Sequence, residues 1–221
     1  MHQGWAKTSL LVATISTRLQ VRSGEITADR SLKSEPGTLT LTGANYYTGA
    51  TTIKRGRLLV NNTTGSGTGT SAVQVNAGKL GGNGIIGSYV TIGDGIGRGA
   101  SLSAGINSTS PSTLTIEGSL TFNSDATYKV QLDSTGSKAD KVVVGWGVTI
   151  NSGAQFSFTE LGSGTLAPGT VFTIISNLGP EPIAGTFSNL ANGTMFASNG
   201  NNYQVNYKGG DGNDLTLTVI P

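Results

Sequence analysis

Three aspartates and three lysines lie within one short and irregular stretch of the chain. They are Asp125, Asp133, Asp140, Lys129, Lys138 and Lys141. Glycoside hydrolysis needs two carboxylates at a defined separation, one as the acid and the other as the base or nucleophile. A carbohydrate-active hydrolase or lyase would therefore draw on Asp125, Asp133, Asp140 and Lys141. Alternating acidic and basic residues on a loop are more often a solvated surface, so we favour no catalytic residue.

Other common catalytic sites lack their essential residues. The chain has one histidine, His2, and no cysteine. A serine hydrolase needs a base beside its nucleophile, most often histidine, and the sequence contains no G-x-S-x-G turn. A zinc site built from histidine or cysteine is excluded on the same composition. We therefore favour a protein without enzymatic activity. The alternative that stays open is a polysaccharide hydrolase or lyase, and not a Ser-His esterase.

A glycine-rich segment near the C-terminus resembles a calcium-binding repeat. Residues 209–214 read Gly-Gly-Asp-Gly-Asn-Asp, which matches one copy of the G-G-x-G-x-D nonapeptide. Calcium in such repeats is shared between successive copies, and Thr216 stands where the motif has an apolar residue. The pattern favours a tight turn before the last strand. We expect no cofactor, and Asp211 and Asp214 are the candidate ligands if calcium binds.

Three aromatic residues are candidates for ligand contact. Tyr46, Tyr47 and Trp146 stand among small polar residues, and exposed amphipathic rings commonly occur at recognition surfaces. Stacking on sugar rings and burial in the core are both compatible with the sequence. A calcium- or glycan-binding module without turnover is therefore a further hypothesis.

Charge is sparse and unevenly distributed. Charged residues make up 12% of the 221 residues and the net charge is +2, with 34 glycines. Residues 1–57 carry eight basic and three acidic residues, whereas residues 58–221 carry six and nine. A basic start can favour polyanions, but its basic residues are scattered and lack interleaved aromatic residues. We expect a solvated leader and no nucleic-acid partner.

Alternation of apolar and polar residues predicts short strands from residue 37 onward. Leu39 and Leu41 lie on one face and Thr38, Thr40 and Thr42 on the other. The same pattern returns at Val73/Val75, Val90/Ile92, Leu114/Ile116, Leu120/Phe122, Val148/Ile150 and Phe156/Phe158. Glycine clusters separate these runs, and no helical periodicity occurs between residues 36 and 165. An all-β chain follows.

A repeated sequence motif indicates how these strands are arranged. Ile53-Lys-Arg-Gly-Arg-Leu58 and Val75-Asn-Ala-Gly-Lys-Leu80 share one template, and their spacing of about 22 residues is typical of repeat proteins whose units stack. Taking Ile53, Val75, Ile92 and Ile116 as equivalent gives unequal intervals of about 20 residues, the shortest from Val75 to Ile92. The next candidate, Ile150, lies considerably further on, which predicts an insertion or an extra coil over 123–147.

These intervals favour a solenoid over a sandwich or a barrel. Each coil of about 20 residues would place a strand in parallel on the previous coil. The predicted coils occupy 36–165, and the longer connections of 166–221 predict capping strands or hairpins in one continuous domain 36–221. Residues 1–35 are predicted to be an atypical, weakly structured leader. Arg18 and Arg22 follow its apolar core, where a signal peptide would have small residues.

The sequence of residues 39–84 resembles a known family of bacterial surface proteins. It includes Leu39-Thr-Leu-Thr-Gly-Ala-Asn-Tyr-Tyr-Thr-Gly-Ala-Thr-Thr-Ile53 and continues through Val75-Asn-Ala-Gly-Lys-Leu-Gly-Gly-Asn-Gly84. These phrases are similar to the passenger-associated transport repeat, also called the autotransporter-associated β-strand repeat. Weaker similarity extends over roughly 36–219.

The resemblance implies a right-handed parallel β-helix that is exported and displayed at, or released from, an outer membrane. It carries no catalytic residues, so it implies a stalk or adhesin whose partners are glycans or proteins of a host or neighbouring cell. We expect no transmembrane segment, and end-to-end stacking would be the route to oligomers. The sequence shows no clean export signal, so we expect a fragment of a longer protein or a relative with another secretion route.

Overall fold

The computed structural model describes residues 37–97, 99–105 and 109–221, and the backbone of three short strands between residues 13 and 28. Every regular element in these ranges is a β-strand. In chain order the first eleven are β1 (Ala13–Ile15), β2 (Leu19–Arg22), β3 (Glu25–Ala28), β4 (Thr38–Leu41), β5 (Thr51–Ile53), β6 (Arg57–Val60), β7 (Val73–Val75), β8 (Gly78–Gly82), β9 (Ile85–Ile86), β10 (Val90–Ile92) and β11 (Ala100–Ala104). The other eleven are β12 (Thr113–Ile116), β13 (Leu120–Phe122), β14 (Ala126–Asp133), β15 (Lys138–Ala139), β16 (Lys141–Val144), β17 (Val148–Ile150), β18 (Gln155–Leu161), β19 (Val171–Asn177), β20 (Met195–Ser198), β21 (Asn201–Gly209) and β22 (Asp214–Ile220).

The strands form three sheets, here named A, B and C. Sheet A has the order β1-β4-β6-β8-β11-β14, with β15 and β18 also paired to β14. Sheet B has the order β17-β13-β10-β7-β5-β3-β2, and sheet C the order β20-β21-β22-β19-β16-β12-β9. Pairing is parallel from β4 to β14 and β18 in sheet A, from β3 to β17 in sheet B and from β9 to β19 in sheet C. The all-β prediction with parallel strands is confirmed.

The chain visits the sheets in a repeating order. From β8 onward it passes from A to C to B and back to A, through β9, β10, β11, β12, β13 and β14. Strands of one sheet therefore come from successive passes of the chain. In sheets B and C most buried positions alternate with half-buried or exposed ones, as in β12 and β16, whereas β11 of sheet A is buried throughout. The period-two pattern in the sequence is what places one side of every strand in the core.

One row of buried residues runs along sheet B. Ile53 pairs with Val75, Val75 with Ile92, Ile92 with Phe122, and Phe122 with Ile150. The predicted equivalence of the first three and of Ile150 is confirmed.

The predicted equivalence of Ile116 is wrong. It lies in sheet C, where it pairs with Ile86 and Val144. Each pass of the chain contains several runs in which apolar and polar residues alternate. The sequence interval alone therefore pointed to a run that belongs to a different sheet.

Residues 123–147 contain regular strands of the same architecture. β14 lies on sheet A, β15 returns against its end as an antiparallel pair, and β16 continues sheet C. The predicted insertion is thus one coil between Phe122 and Ile150, and a short hairpin excursion accounts for its extra length. Within the predicted leader 1–35, β1 pairs with β4 and β3 with β5.

The buried apolar side chains form one core from Leu39 to Val219. Most are Leu, Ile and Val, and burying each such side chain contributes about 1.5–3 kcal/mol relative to exposure. Toward the C-terminal side the core becomes aromatic, and Phe187 packs 5.1 Å from Phe122 and 6.0 Å from both Tyr128 and Phe156, measured between ring centroids. The Tyr128 hydroxyl donates to the Ile174 carbonyl at 2.6 Å, so the largest ring in this cluster leaves no polar atom unpaired.

Parallel pairing continues through β19, and antiparallel strands follow. β22 pairs with β19, β21 with β22 and β20 with β21. In the connection from β19 to β20, Ala184 forms a parallel bridge to Thr149 at the edge of sheet B. Predicted strands and hairpins in 166–221 are therefore present, and the first of them, β19, still belongs to the parallel stack.

Several glycines lie where neighbouring passes of backbone touch. A Cβ on Gly145 would stand 2.2 Å from the Glu117 carbonyl oxygen, and one on Gly118 would stand 2.4 Å from the Tyr89 nitrogen. Both obstacles are backbone atoms, which cannot swing aside as a flexible side chain would. Glycine is required here for close approach between passes.

We expect Gly145→Ala to lower the free energy of unfolding by about 1–3 kcal/mol, because the added methyl must separate two hydrogen-bonded passes of the chain. Urea unfolding followed by circular dichroism measures the loss. Ser152→Ala, at an exposed turn, is the matched control and should change stability by less than about 0.5 kcal/mol. Equal stability of the two variants would contradict the close-approach argument.

Candidate functional site

The four candidate catalytic residues do not meet in one pocket. Asp125 precedes β14 and Asp133 ends it, so eight residues of extended strand, roughly 26 Å, separate them. Paired carboxylates of glycosidases lie about 5–10 Å apart. The hydrolase or lyase hypothesis stays a prediction, and these two aspartates do not form its carboxylate pair.

Asp125 and Asp133 each accept a hydrogen bond from a nearby turn. Asp125 Oδ1 accepts from the Gly95 N–H at 2.9 Å, and Asp133 Oδ1 accepts from the Thr135 N–H at 3.0 Å. Partial burial acts to raise the pKa of Asp125, but backbone N–H donors, including that of Gly95, outweigh it and leave the pKa below its usual value. Both carboxylates hold local turns.

Asp140 is a buried carboxylate with two backbone donors. It lies between β15 and β16 with none of its surface exposed. Oδ1 accepts from the Ser112 N–H at 2.9 Å, and Oδ2 accepts from the Gln131 N–H at 3.1 Å. Burial raises the pKa of Asp140 to about 6, although these two donors and the Lys79 ammonium oppose the shift. The side chain ties the hairpin excursion to the loop that enters sheet C.

Basic side chains lie in the neighbourhood of Asp140, and Lys79 is one of them. Burial lowers the pKa of Lys79, and the nearby Arg57 and Lys129 charges lower it further. Lys141 begins β16 and is half-buried, beside a shallow groove that Lys138 also lines. Both oxygens of Asp140 already accept backbone hydrogen bonds, so its position suits a structural role.

The candidate calcium ligands lie in the turn between β21 and β22. Asp214 Oδ1 accepts from the Asn177 N–H at 2.8 Å. Burial and the Asp211 carboxylate raise the pKa of Asp214, against the opposing effects of the Asn177 N–H and Lys141. Asn213 Nδ2 donates to the Gly179 carbonyl at 2.7 Å. The predicted tight turn thus ties the last hairpin to the end of β19 and to the residues directly after it.

Among the described residues, no group of three or more His, Cys, Asp or Glu side chains is arranged to hold a metal ion. Within the same ranges, no helix is long and apolar enough to cross a membrane.

Tyr46 and Trp146 are exposed, whereas Tyr47 is half-buried. Tyr46 exposes 77% of its surface and Trp146 exposes 78%. The Tyr47 hydroxyl lies 2.8 Å from the Thr51 hydroxyl, and burial raises the pKa of Tyr47. The first two are therefore available to a ligand, and Tyr47 packs against its own coil.

Trp146 lies in a connection that recurs in successive coils. Three-residue connections join sheet C to sheet B at 87–89, 117–119 and 145–147, and they are named here the C–B corners. Corner N–H groups bond to the coil before: Glu117 N–H donates to the Ile86 carbonyl, and Gly145 N–H donates to the Ile116 carbonyl. The corners therefore stack in register along the molecule.

A groove crosses these three corners. It is lined by Gly87, Ser88, Tyr89, Glu117, Gly118, Ser119 and Trp146. Tyr89 is 58% exposed and was not among the sequence candidates, nor was Glu117. The sequence does contain a signal that aligns these corners. Each corner is followed directly by a similar triplet, namely Val90-Thr-Ile92, Leu120-Thr-Phe122 or Val148-Thr-Ile150.

Comparison with known families bears on the first part of the chain. Residues 32–60 match the passenger-associated-transport-repeat. The described part of this match, residues 37–60, spans one whole coil, because β4 pairs in parallel with β6 and Leu39 lies opposite Leu58. The match therefore contains two neighbouring strands of sheet A and the connection between them. The family resemblance is confirmed for this stretch, and its continuation through residues 61–219 stays a prediction.

No curated protein matches the chain. The passenger-associated-transport-repeat match supports an autotransporter passenger-like protein and, through that family, a location at the cell surface or outside the cell.

Asp140 should make stability depend on pH. Its pKa is higher in the folded state than the ordinary 3.8, so the folded state binds the proton more tightly. The stabilisation is complete below about pH 4 and is lost as the pH rises through about 6, by on the order of 3 kcal/mol. Urea unfolding of the wild type and Asp140→Asn between pH 4 and 7 measures the difference in slope.

Asp140→Asn cannot titrate, so its stability should fall less over this range. An amide also presents one NH₂ group to a backbone N–H, so the variant loses one hydrogen bond at every pH. Lys138→Gln, an exposed change in the same hairpin, is the control and should keep the wild-type slope. Identical slopes for wild type and Asp140→Asn would exclude this role for Asp140.

Proposed function

We propose that this protein is a passenger-type surface protein that acts as a stalk or adhesin through its outer faces, without chemistry. The observation that carries the proposal is the family match over 32–60, whose described part contains two parallel neighbouring strands, β4 and β6. A stack built this way adds about 4.8 Å of length per coil, which suits a protein that must project from a surface.

We infer that the stack is a right-handed parallel β-helix. The repeating course through sheets A, C and B supports a solenoid, in which each pass lies on the one before. Connections between parallel strands of one sheet are right-handed in about 98% of cases, which supports the handedness. Residues 36–221 then form one continuous domain around the shared core from Leu39 to Val219.

The C-terminal strands are suited to close the stack. The outer edge of β18 would otherwise present unpaired backbone groups. Asn189 bonds this edge through both arms of its amide: the Phe156 N–H donates to Oδ1 and Nδ2 donates to the Phe156 carbonyl, both at 2.8 Å. Asn199 Nδ2 donates to the Gly162 carbonyl at 3.1 Å. Side-chain amides thus take the place of a further strand.

The outer positions of the coils favour contact with partners over catalysis. They are mainly threonine, serine and asparagine, and the acidic candidates Asp125, Asp133 and Asp140 each hold backbone N–H groups. We propose glycans or proteins of a neighbouring cell as partners. The carbohydrate-active hydrolase or lyase is the alternative, with turnover as its distinguishing property.

Surface display tests this proposal. Bacteria that produce the full reading frame containing this chain are treated with protease while intact, and the chain is followed by immunoblot. We expect digestion of the chain while a periplasmic marker protein stays intact. Digestion only after lysis would contradict display. Turnover of any polysaccharide by the purified chain, lost in Asp133→Asn, would favour the enzymatic alternative.

Removal of the Asn189 amide should uncover the edge of β18. We expect Asn189→Leu to lose about 1–2 kcal/mol of stability, because the Phe156 N–H and carbonyl lose their partners. Self-association should rise with protein concentration in light scattering. Asn202→Leu, which removes an exposed asparagine from the last hairpin, is the control and should stay monodisperse. Unchanged behaviour of Asn189→Leu would show that the edge does not need this cover.

A further inference from the structure

Tyr89 and Trp146 flank a slot at the C–B corners. Val90, Leu120 and Val148 are paired across sheet B, so the corners that precede them lie on three successive levels. Tyr89 belongs to the first level and Trp146 to the third, and both rings are exposed. The level between them carries Glu117, Gly118 and Ser119. The slot is thus bounded by two rings and has a floor of small residues.

The glycine on the middle level allows the first two levels to approach closely. Gly118 lies one pass from Ser88 and one pass from Trp146, whose N–H donates to the Gly118 carbonyl at 3.3 Å. A Cβ there would stand 2.4 Å from the Tyr89 nitrogen, so no side chain can be accommodated without moving backbone. The middle level therefore carries no side chain at Gly118, and the Tyr89 and Trp146 side chains on either side of it are exposed.

The width of the slot limits its occupant. Neighbouring strands lie about 4.8 Å apart, so the first and third levels lie about 9.6 Å apart. Two van der Waals contacts of about 3.5–4.0 Å fit within this spacing, so the groove has room for one ring between side chains of the first and third levels. The groove volume of about 570 Å³ falls within the range of small-molecule sites.

Polar groups and charge narrow the ligand further. Glu117 offers a carboxylate, and Ser88 and Ser119 offer hydroxyls, all of which bond well to hydroxyl groups. The groove lining contains one acid and no Lys or Arg. An acidic ligand would meet repulsion with no compensating cation, so a neutral one fits this charge.

We propose that the groove between Tyr89 and Trp146 binds a neutral pyranose ring of an oligosaccharide. The ring lies between the two aromatic side chains, and its hydroxyls bond to Glu117 and Ser119. The inference rests on the proposed surface function and names the class of ligand that one outer face binds. Tyr46, two levels before Tyr89, lies outside this slot.

Binding of defined oligosaccharides tests the proposal. Cellohexaose and chitohexaose serve as neutral probes, and hexagalacturonate as the acidic one, by isothermal titration calorimetry. The chain has only two tryptophans, so a Trp5→Phe background reports Trp146 fluorescence alone. We expect saturable binding of at least one neutral probe, with a change in that fluorescence.

Tyr89→Ala and Trp146→Ala should each weaken binding about tenfold, the loss that removal of one stacking ring typically causes. Tyr89→Phe keeps the ring and should bind within about threefold of the wild type. Leu178→Ala, an exposed apolar residue of the following pass, is the matched control and should bind normally. Circular dichroism confirms that each variant is folded.

Three results would overturn the proposal. They are absence of binding to both neutral probes, binding that Tyr89→Ala and Trp146→Ala leave unchanged, and preference for the acidic probe. The display assay is independent of this groove, so a chain that is displayed but binds neither neutral probe contradicts only the sugar site. A chain that binds the probe but is not displayed contradicts only the surface function.

Discussion

In-register parallel pairing between successive passes of the chain is the constraint on which the structure depends. It holds equivalent backbone positions about 4.8 Å apart, so any residue that widens one level must displace the next. Buried Leu, Ile and Val rows satisfy this on the inside, as from Ile53 to Ile150. Corners satisfy it with glycine, as at Gly118 and Gly145. Apolar rows in the core and glycines at the corners thus both satisfy the same spacing between successive passes.

Polar side chains fasten the levels where the sheets are interrupted. Asn62 donates to the Gly65 carbonyl and accepts from the Ile85 N–H, and Asn151 donates to Asn123, which in turn donates to the Gly93 carbonyl. Asp140 does the same for the hairpin excursion, at the cost of a buried charge. Each of these groups satisfies backbone donors or acceptors that a corner would otherwise leave unpaired. Side chains thus add to the backbone hydrogen bonds that hold successive corners together.

The strands could be predicted from the sequence because alternation is a local property, while the pairing between them is not local. Ile53, Val75 and Ile92 were correctly aligned, yet Phe122 and not Ile116 continues their row, since coil length varies and several runs in each coil alternate alike. The burial of Asp140 was hidden because its Asp-Lys surroundings are typical of solvated loops. Tyr89 and Trp146 meet only through the stacking of corners that lie two passes apart in the chain, a separation that no local pattern spans.

Asn189 covers part of the outer edge of sheet A. Its amide supplies one donor and one acceptor to β18, which is what a further strand would supply at that position, but it offers no new edge beyond itself. A further strand could not pair with Phe156 while the Asn189 amide holds both of its backbone groups. Growth of sheet A beyond β18 at this position would therefore first require Asn189 to leave.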